Sequence, residues 1–224
     1  MTYTTPYLPP TLTVDAVMFR VAEGVLEVML LRRAREPFKG QWALPGGYNA
    51  KGETTTEALG RIVAQKTGVD IHALQHLEQL YTFDTVDRDP RGHAVSVTYL
   101  GASHHIELPH RADAVVQFFP VDSLPELAYD HATIIAYARE RLAAKLTYTN
   151  IASAFLAERF TLTQLQTVYE AVFGHTFDKR NFRKKFLSLD MIDETPELWT
   201  EGAHRPARLY TFRDTAITSL AVKF

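Results

Sequence analysis

The segment LPGGYNAKGETTTEALGRIVAQKTGV, residues 44–69, constrains the fold more than any other part of the chain. Residues 53–67 are predicted to form a helix, which ends at Gly68. Gly46 and Gly47 precede this helix, and glycines let the backbone approach a bound phosphate closely. The amide groups and dipole at the start of a helix also favour anions. The segment therefore predicts an anion-binding loop followed by a helix.

The composition is typical of a soluble globular protein, with 46% hydrophobic and 22% charged residues in a chain of 224. This length suffices for one large domain or two modest ones. A net charge of −2 means that a nucleic-acid function would need a local basic patch. The absence of cysteine excludes disulfides, thiolate metal ligands and cysteine nucleophiles. No apolar run reaches membrane-spanning length, so we expect a cytoplasmic protein with no membrane partner.

The first two thirds of the chain alternate predicted strands with two predicted helices. The strands are rich in β-branched residues, and Glu23-Gly24 is typical of a tight turn between the first two. This order predicts a mixed sheet with helices, in an α/β or α+β domain. The predicted strands cover residues 11–21, 22–34, 72–85, 93–103 and 113–121, and the second helix covers residues 129–146.

The last third has the order of a winged helix-turn-helix, which is three helices followed by a β-hairpin. The predicted N-caps are Asn150 for a short first helix, a Thr161–Gln164 capping box for the second, and Asp178 for the third. Gly174 is predicted to end the second helix. The helices cover residues 151–158, 161–174 and 178–189, and the hairpin strands cover residues 191–195 and 206–213 around a loop at 196–205.

Residues 47–69 resemble the Nudix signature, G-x5-E-x7-R-E-U-x-E-E-x-G-U, in which U is an aliphatic residue. In that signature, glutamates three and four residues apart on one helix face gather Mg²⁺ against a diphosphate. The metal neutralises the phosphate oxygens and activates water. The frame matches at Gly47, Glu53, Arg61, Val63, Gly68 and Val69, and WALPGG at residues 42–47 also resembles the family.

The three positions that hold metal-binding carboxylates in the Nudix family are occupied by Ile62, Gln65 and Lys66. An apolar side chain, a neutral amide and an ammonium cannot form an oxygen cage for Mg²⁺. Glu53 and Glu57 remain, but neither replaces the missing cluster. We therefore expect the Nudix fold and its pocket without catalytic residues and without a metal site. An active hydrolase that uses displaced carboxylates stays open as an alternative.

A dense basic segment lies in the third predicted helix of the C-terminal part, with five cations at residues 179–185. Phe182, Phe186 and Leu189 recur at helical spacing and are predicted to face inward, with Leu187 beside them. A helix of this kind can enter a major groove, where Arg or Asn reaches base edges and Lys contacts phosphates. A solvated charged face is the alternative. The residues predicted to contact DNA are Lys179, Arg180, Asn181, Arg183 and Lys184.

The position of the basic helix favours DNA binding over a merely solvated face. It is the third of three helices and precedes a hairpin, as a recognition helix precedes the wing. The hairpin loop carries His204 and Arg205, which we predict as further DNA contacts.

Over residues 10–212 the chain resembles the Nudix-related transcriptional regulators of NAD metabolism. The matching segments beyond the box include PFKGQWALPGG, LEQLYTF, DRDPRGHAVSVTYL, DKRNFRKKF and RPARLY. The resemblance implies an α+β fold, with an N-terminal Nudix-like α/β/α sandwich around a mixed sheet and a C-terminal winged helix-turn-helix. We expect a sensing and dimerisation domain at residues 1–147 and a DNA-binding domain at residues 148–224.

The same resemblance implies the function. Members of this family are homodimeric bacterial repressors of NAD biosynthesis or salvage genes that bind palindromic operators in double-stranded DNA. Their best-known effector is ADP-ribose, which binds the Nudix domain and relieves DNA binding, with no cofactor required. Some relatives with this architecture respond to sugars, so a sugar-responsive regulator is an alternative. A scaffold whose basic helix binds an acidic protein is a further one.

An ADP-ribose pocket needs cations or backbone amides for the diphosphate and an aromatic face for the base. Arginines can contact the phosphates bidentately, while the glycine pair and the start of the following helix supply amides. The aromatic side chains of Trp42, Tyr81 and Phe83 are candidates for stacking on the base. Our predicted ligand-binding residues are Arg33, Trp42, Gly46, Gly47, Glu53, Phe83, Arg88 and Arg91. We expect Glu53 to pair with Arg61 across helix turns.

The histidines of SHHIELPH, residues 103–110, raise the alternative of a metal site. His104 and His105 are adjacent, and adjacent side chains in a strand point to opposite faces. They therefore make a poor pair of ligands, and we expect no metal there.

Overall fold

A long antiparallel pair of strands forms the centre of the N-terminal sheet. The computed structural model describes residues 8–109, 115–200, 206–214 and 216–219. Strand β1 (Thr11–Ala22) and strand β2 (Val25–Arg32) are joined by the predicted turn, in which Glu23 and Gly24 both have positive φ, 49° and 80°. Two successive residues with positive φ match the right-handed twist of the flanking strands, so the turn is confirmed.

Five further strands complete a mixed sheet. They are β3 (Trp42–Ala43), β4 (Gly46–Tyr48), β5 (His76–Phe83), β6 (Ala94–Ala102) and β7 (Val116–Pro120). The strand order is β3-β2-β1-β6-β5, while β4 pairs with β1 and β7 pairs with β2. Strands β1 and β6 are parallel and the remaining pairs are antiparallel. The mixed sheet that we predicted is confirmed.

The helix that follows the glycine pair, α1 (Thr55–Thr67), begins two residues later than predicted. Thr54 is its N-cap, and the side chains of Thr54 and Glu57 form a capping box. The helix ends at Gly68, whose φ of 78° suits a residue without a Cβ atom. Glu53 stays outside the helix because its carboxylate accepts a hydrogen bond from the backbone N–H of Ala50.

The sheet lies between helices on both faces, because alternate residues of β1 point in opposite directions. Met18, with Val14 and Ala16, belongs to the core beneath α1. Val17 and Phe19 belong to a second core, which they share with α2 (His131–Tyr148). The N-terminal part is therefore the expected α/β/α sandwich.

The C-terminal part contains two α-helices and a hairpin in the predicted order. These are α3 (Leu162–Phe173), α4 (Lys179–Leu187), β8 (Ile192–Trp199) and β9 (Ala207–Phe212). The Thr161–Gln164 capping box and the cap at Asp178 are confirmed, as is the end of α3 at Gly174. Strand β8 continues through Trp199, which we had placed in a loop, because Trp199 pairs with Ala207.

The predicted first helix of this part is instead a five-residue 3-10 turn, Ile151–Phe155. Its N-cap residue, Asn150, makes no capping hydrogen bond with its side chain. The Asn150 amide donates to the backbone oxygens of Asp214 and Ala216, at 3.2 and 2.9 Å, and its oxygen accepts from the N–H of Thr218. The prediction of a cap was wrong because these partners lie more than 60 residues along the chain.

The two parts of the molecule share one apolar core. Tyr169 of α3 is fully buried and donates a hydrogen bond to the backbone oxygen of Leu146 at the end of α2. The core that begins at Phe19 in the sheet continues through Leu146 and Tyr169 to Phe182 and Phe186 of α4. The end of α2 is therefore in direct contact with α3, so a displacement of α2 at this end also displaces α3. Within the described residues, no helix is long and apolar enough to cross a membrane.

Candidate functional site

A cavity of about 560 Å³ opens between the glycine pair, α1, the end of β2 and the loop between β5 and β6. This volume lies within the range of small-molecule sites. Residues separated by up to 118 positions in sequence line it, since Thr13 and His131 both contribute. Of the predicted ligand-binding residues, the structure brings five to its wall: Arg33, Gly46, Gly47, Arg88 and Arg91.

The floor of the cavity is a buried carboxylate, Asp15, which is 6% exposed. Ser96 donates a hydrogen bond of 2.5 Å to it, and Arg88 lies 3.7 Å away. Gly46 packs so closely over Asp15 that an added Cβ atom would lie 1.8 Å from the carboxylate oxygen. Only glycine leaves room for this approach, which fixes the glycine loop against β1.

His131, at the start of α2, closes the floor on one side. Its Nδ1 atom accepts a hydrogen bond of 2.9 Å from the backbone N–H of Leu44, and its Nε2 atom lies 3.7 Å from Asp15. Burial lowers the pKa of His131, an effect that the charge of Asp15 opposes. An Nδ1 that accepts requires a ring with no proton on that atom, so His131 is neutral with its proton on Nε2.

Arg88 is buried, with 8% of its surface exposed, and it is held by Asp130 in a bidentate pair. The two N–O distances are 3.0 and 2.8 Å. Because Asp130 directly precedes α2, this pair connects the loop between β5 and β6 to that helix. A guanidinium held in this way loses little conformational freedom when it binds a ligand.

Arg91 and Arg33 line the other side of the cavity. Arg91 donates two hydrogen bonds to Asp89, at 2.9 and 2.6 Å, and this contact raises the pKa of Arg91. Its guanidinium lies 5.4 Å from the ring centre of Tyr48 and 5.8 Å from that of Tyr129. Arg33 lies 4.8 Å from the Tyr129 ring. These distances are typical of cation–π contacts.

Three predicted ligand-binding residues lie away from the cavity wall. Trp42 packs edge-on against Phe119, at 4.6 Å, and lies partly buried against the core that the sheet shares with α2. Phe83 packs with Tyr81 and Tyr137. Each of them packs against a ring from a distant part of the chain, which no local pattern indicated.

The third residue, Glu53, is connected to the cavity wall only through its contact with Arg61. It forms a bidentate pair with Arg61, at 2.5 and 2.8 Å, as expected from the box. The hydrogen bond from Arg61 is the main cause that lowers the pKa of Glu53 to about 2. Arg61 lines the cavity and also donates to the backbone oxygen of Tyr48.

Sequence reasoning missed the two aromatic rings that do line the cavity. Tyr48 directly follows the glycine pair, so its position next to the box was an available signal. Tyr129 lies more than 80 residues away, and no local pattern marks it. Its backbone has a positive φ of 56°, which is uncommon outside glycine. The two tyrosines, not Trp42 or Phe83, are the faces available to a planar ring.

Helix α4 presents most of the predicted DNA contacts to solvent. Lys179, Arg180, Asn181 and Lys184 are exposed. Arg183 is the exception, because it is half-buried and its Nη2 atom donates to Thr163 of α3 at 3.2 Å. Arg183, which we predicted as a DNA contact, therefore lies on the flank of α4 that faces α3. His204 and Arg205 lie outside the described residues.

The inner face of α4 is aromatic, as predicted. Phe182 and Phe186 are buried and pack on Tyr169 with ring centres 5.3 and 5.6 Å away. Leu189 is partly buried against the same core. Leu187, which we expected beside them, is instead 48% exposed. A helix anchored along only this stripe leaves its opposite side available to a partner.

Comparison with known proteins agrees with this two-part architecture. The NUDIX domain family matches residues 9–138, and the NrtR DNA-binding winged helix domain matches residues 152–212. The fold and the cavity thus define a Nudix protein with a C-terminal winged helix. Over 212 residues the chain is 32% identical to the ADPR responsive transcriptional repressor NtrR of Acinetobacter baylyi, covering 92% of this chain and 83% of that relative. The chain belongs to the NrtR family, as the sequence resemblance implied.

Two other relatives extend this comparison. Shewanella oneidensis NrtR, in a crystal structure with a 27mer DNA, is 34% identical with a TM-score of 0.80, covering 95% of this chain and 99% of that chain. Its NUDIX domain, in a cocrystal structure with ADP ribose, is 35% identical with a TM-score of 0.52, covering 62% of this chain and 94% of that chain. An ADP-ribose pyrophosphatase of Methanocaldococcus jannaschii is 38% identical over 130 residues, which are 58% of this chain and 73% of that enzyme.

Proposed function

We propose that this protein is a homodimeric DNA-binding repressor of NAD biosynthesis or salvage genes, released from palindromic operators by ADP-ribose. Residues 1–147 bind the effector and form the dimer, and residues 148–224 bind DNA. The observation that carries the proposal is that a cation-lined cavity and an exposed basic helix are built on one continuous apolar core. The relatives that bind DNA and ADP ribose support it.

The cavity suits a nucleoside diphosphate ligand. Arg33, Arg88 and Arg91 lie where they can contact phosphate oxygens, and the amides of Gly46 and Gly47 lie beside them. Because Arg88 is already held by Asp130, its guanidinium is oriented before the ligand arrives. The tyrosine rings offer stacking surfaces for adenine.

The route from ligand to DNA passes along α2. Arg88 of the cavity is paired to Asp130 at the start of that helix, and Leu146 at its other end accepts a hydrogen bond from Tyr169 of α3. A ligand that prefers one position of Arg88 thereby prefers one position of α2 and α3. The effect is a population shift, in which the ligand-bound dimer no longer matches the spacing of the two half-sites.

We also propose that the protein does not hydrolyse its ligand. Ile62, Gln65 and Lys66 line the cavity where the Nudix signature has carboxylates. Loss of a catalytic metal removes several kcal/mol of transition-state stabilisation, by the general magnitude of Lewis-acid catalysis. Release of AMP from ADP-ribose on addition of Mg²⁺, above a no-enzyme control, would contradict this and favour the hydrolase alternative.

A gel-shift titration at one fixed salt concentration tests the regulator. The probe is DNA from upstream of the adjacent genes, with excess nonspecific competitor, with and without ADP-ribose. We expect a discrete complex that ADP-ribose dissolves. A complex that ignores ADP-ribose but responds to a pentose would favour the sugar-responsive alternative, and no complex on any adjacent promoter would contradict the repressor.

Two variants separate the two halves of the proposal. The Arg91→Gln variant should still bind DNA, but more ADP-ribose should be needed to dissociate the complex, because Arg91 lines the cavity. The side chain of Arg91 is 43% exposed, so we expect its replacement to leave the protein folded. Arg180→Gln should weaken the DNA complex and leave ADP-ribose binding, measured by calorimetry, unchanged. If both variants impair both activities equally, the assignment of the two regions is wrong.

A further inference from the structure

Mg²⁺ is the ion that the Nudix fold implies, and the side chains that α1 directs into the cavity do not fit it. Ile62 offers no donor atom, and Gln65 offers one neutral carbonyl oxygen. Lys66 carries an ammonium, which repels a cation. Magnesium requires near-octahedral oxygen coordination, usually with one or two carboxylates.

Two of the three carboxylates that described residues place on the cavity wall are already engaged, and the third, Glu36, is exposed and accepts from the backbone N–H of Lys39. Asp15 accepts from Ser96 and lies within 3.7 Å of Arg88. Asp89 is held by two hydrogen bonds from Arg91. Across residues 8–109, 115–200, 206–214 and 216–219, no group of three His, Cys, Asp or Glu residues could hold a metal ion. The cavity therefore lacks the ligands for the ion that its fold relatives use.

The ammonium of Lys66 is held at the glycine pair. Its Nζ atom donates a hydrogen bond of 2.5 Å to the backbone oxygen of Gly46. Gly46 is fixed in turn by its close approach to Asp15. An ammonium has three donors, so two N–H groups remain, and no described residue accepts them. They are available to the oxygens of a ligand bound beside the glycine pair.

The charge of the cavity wall also favours an anion. Among the described residues, seven Lys or Arg side chains line it against three carboxylates, although the whole chain has a net charge of −2. Lys66 is exposed as a residue, but its ammonium end lies within the wall, where desolvation lowers its pKa. Asp15 opposes this decrease, and the like charges of Arg33 and Arg91 add to it. A bound anion relieves this repulsion.

We propose that the ammonium of Lys66 takes the place of the divalent cation, so that the cavity binds the diphosphate of its ligand without metal. The proposal rests on the proposed function for the identity of that ligand. A fixed ammonium can neutralise phosphate oxygens, as a metal does, but it cannot lower the pKa of a bound water. Lys66 thereby separates recognition of the diphosphate from its cleavage.

Calorimetry in EDTA tests the proposal with two probes, ADP-ribose and inorganic pyrophosphate. We expect the unaltered protein to bind in EDTA, with no gain when Mg²⁺ replaces the chelator. Lys66→Met should weaken binding by about 10- to 100-fold, the magnitude of a hydrogen bond to a charged group. Lys66→Arg should restore most of the affinity. Lys51→Met removes an exposed cation outside the cavity wall and is the matched control.

A second variant gives a signature that a merely structural role would not produce. Gln65→Glu combined with Lys66→Glu returns two carboxylates to exposed positions of α1. We expect this variant to lose binding in EDTA and to regain part of it when Mg²⁺ is added. Circular dichroism and the thermal midpoint would establish that it is folded.

The outcomes distinguish this proposal from the proposed function. If the unaltered protein binds ADP-ribose only when Mg²⁺ is present, the role of Lys66 is overturned and the effector stands. If pyrophosphate binds in EDTA in a Lys66-dependent manner but ADP-ribose does not bind, the role of Lys66 stands and the effector is wrong. If neither probe binds in EDTA, or Lys66→Met binds both as well as Lys51→Met does, the proposal is overturned.

Discussion

The cations of the cavity and those of α4 differ in how far other side chains restrain them. In the cavity, Arg88 and Arg91 are each paired bidentately to a carboxylate, and Arg88 is almost fully buried. On α4, Lys179, Arg180 and Lys184 are exposed, and no ion pair to a described residue restrains them. Held cations have a geometry before the ligand arrives, whereas free cations adapt to a charged surface.

The difference teaches what each region can recognise. A held guanidinium can select the position of a phosphate, because little conformational entropy is lost on binding. Free lysines on a helix give attraction to DNA that depends on salt and little on sequence, through release of counterions. We therefore expect sequence selection on α4 to depend on Arg180 and Asn181, whose side chains are of the types that contact base edges.

The largest effect is expected where a held cation loses its partner. Asp130→Asn removes the bidentate partner of buried Arg88 and leaves it only Asp15, at 3.7 Å, which should lower the free energy of unfolding by about 3 kcal/mol. The control is Asp122→Asn, whose partner is Arg139 and whose side chain is 72% exposed; it should cost less than about 1 kcal/mol. Urea unfolding at pH 7 measures both. Equal losses would show that burial of the cavity pair is not what distinguishes it.

A second held cation, Lys145 near the end of α2, should make stability depend on pH. Its Nζ atom lies 2.6 Å from Glu78 of β5. Burial acts to raise the pKa of Glu78, but the neighbouring His76 and Lys145 outweigh it and lower the pKa to about 2. A lowered pKa stabilises the fold above the ordinary value of 4.5, and this contribution is lost as the pH falls towards 2.

We therefore expect Glu78→Gln to reduce the free energy of unfolding at pH 7 by about 1–2 kcal/mol, after allowance for solvent screening. The difference between the variant and the unaltered protein should shrink between pH 4.5 and pH 2. Urea midpoints at several pH values measure it. A difference that stays constant over this range would mean that the charge of Glu78 contributes nothing.

On α4, the free cations should affect DNA binding and leave stability unchanged. Lys179→Gln with Lys184→Gln should reduce the slope of log K against log salt by about 2, since each phosphate contact contributes about 0.9. Affinity at low salt should fall roughly tenfold, and the free energy of unfolding should change by less than about 0.5 kcal/mol. Lys39→Gln with Lys51→Gln, both exposed in the N-terminal part, is the matched control. An equal change of slope in the control would remove α4 as the DNA contact.

The smallest effect is expected for Arg183, which is the one predicted contact on α4 that turns towards α3. Its hydrogen bond to Thr163 and its half-buried position should keep it from the DNA surface. Arg183→Gln should weaken DNA binding less than Lys184→Gln does, in the same salt titration. A larger loss would mean that Arg183 leaves Thr163 when DNA binds.

Local sequence signals predicted most of the fold correctly. The capping box at Thr161 and the helix ends at Gly68 and Gly174 depend on residues within a few positions of each other. Alternation predicted the strands for the same reason. The cap assigned to Asn150 was wrong, because its side chain binds a segment that only the folded chain brings near.

The cavity was predictable only in part, and for a physical reason. Arg33, Arg88 and Arg91 could be proposed from charge and from neighbouring motifs. Their partners could not, since Asp130 lies 42 residues from Arg88 and meets it only after the sheet has formed. Trp42 and Phe83, which we predicted as stacking faces, pack away from the cavity wall against rings from distant parts of the chain.

The sequence by itself determined the chemistry of this protein. The replacement of box carboxylates by Ile62, Gln65 and Lys66, and the run of cations on α4, are readable without coordinates. Only the tertiary structure decided which cations are held and which are free, because burial and pairing depend on segments far apart in the chain. Residue identity sets the charge that a side chain carries, and packing sets the freedom with which that charge can be used.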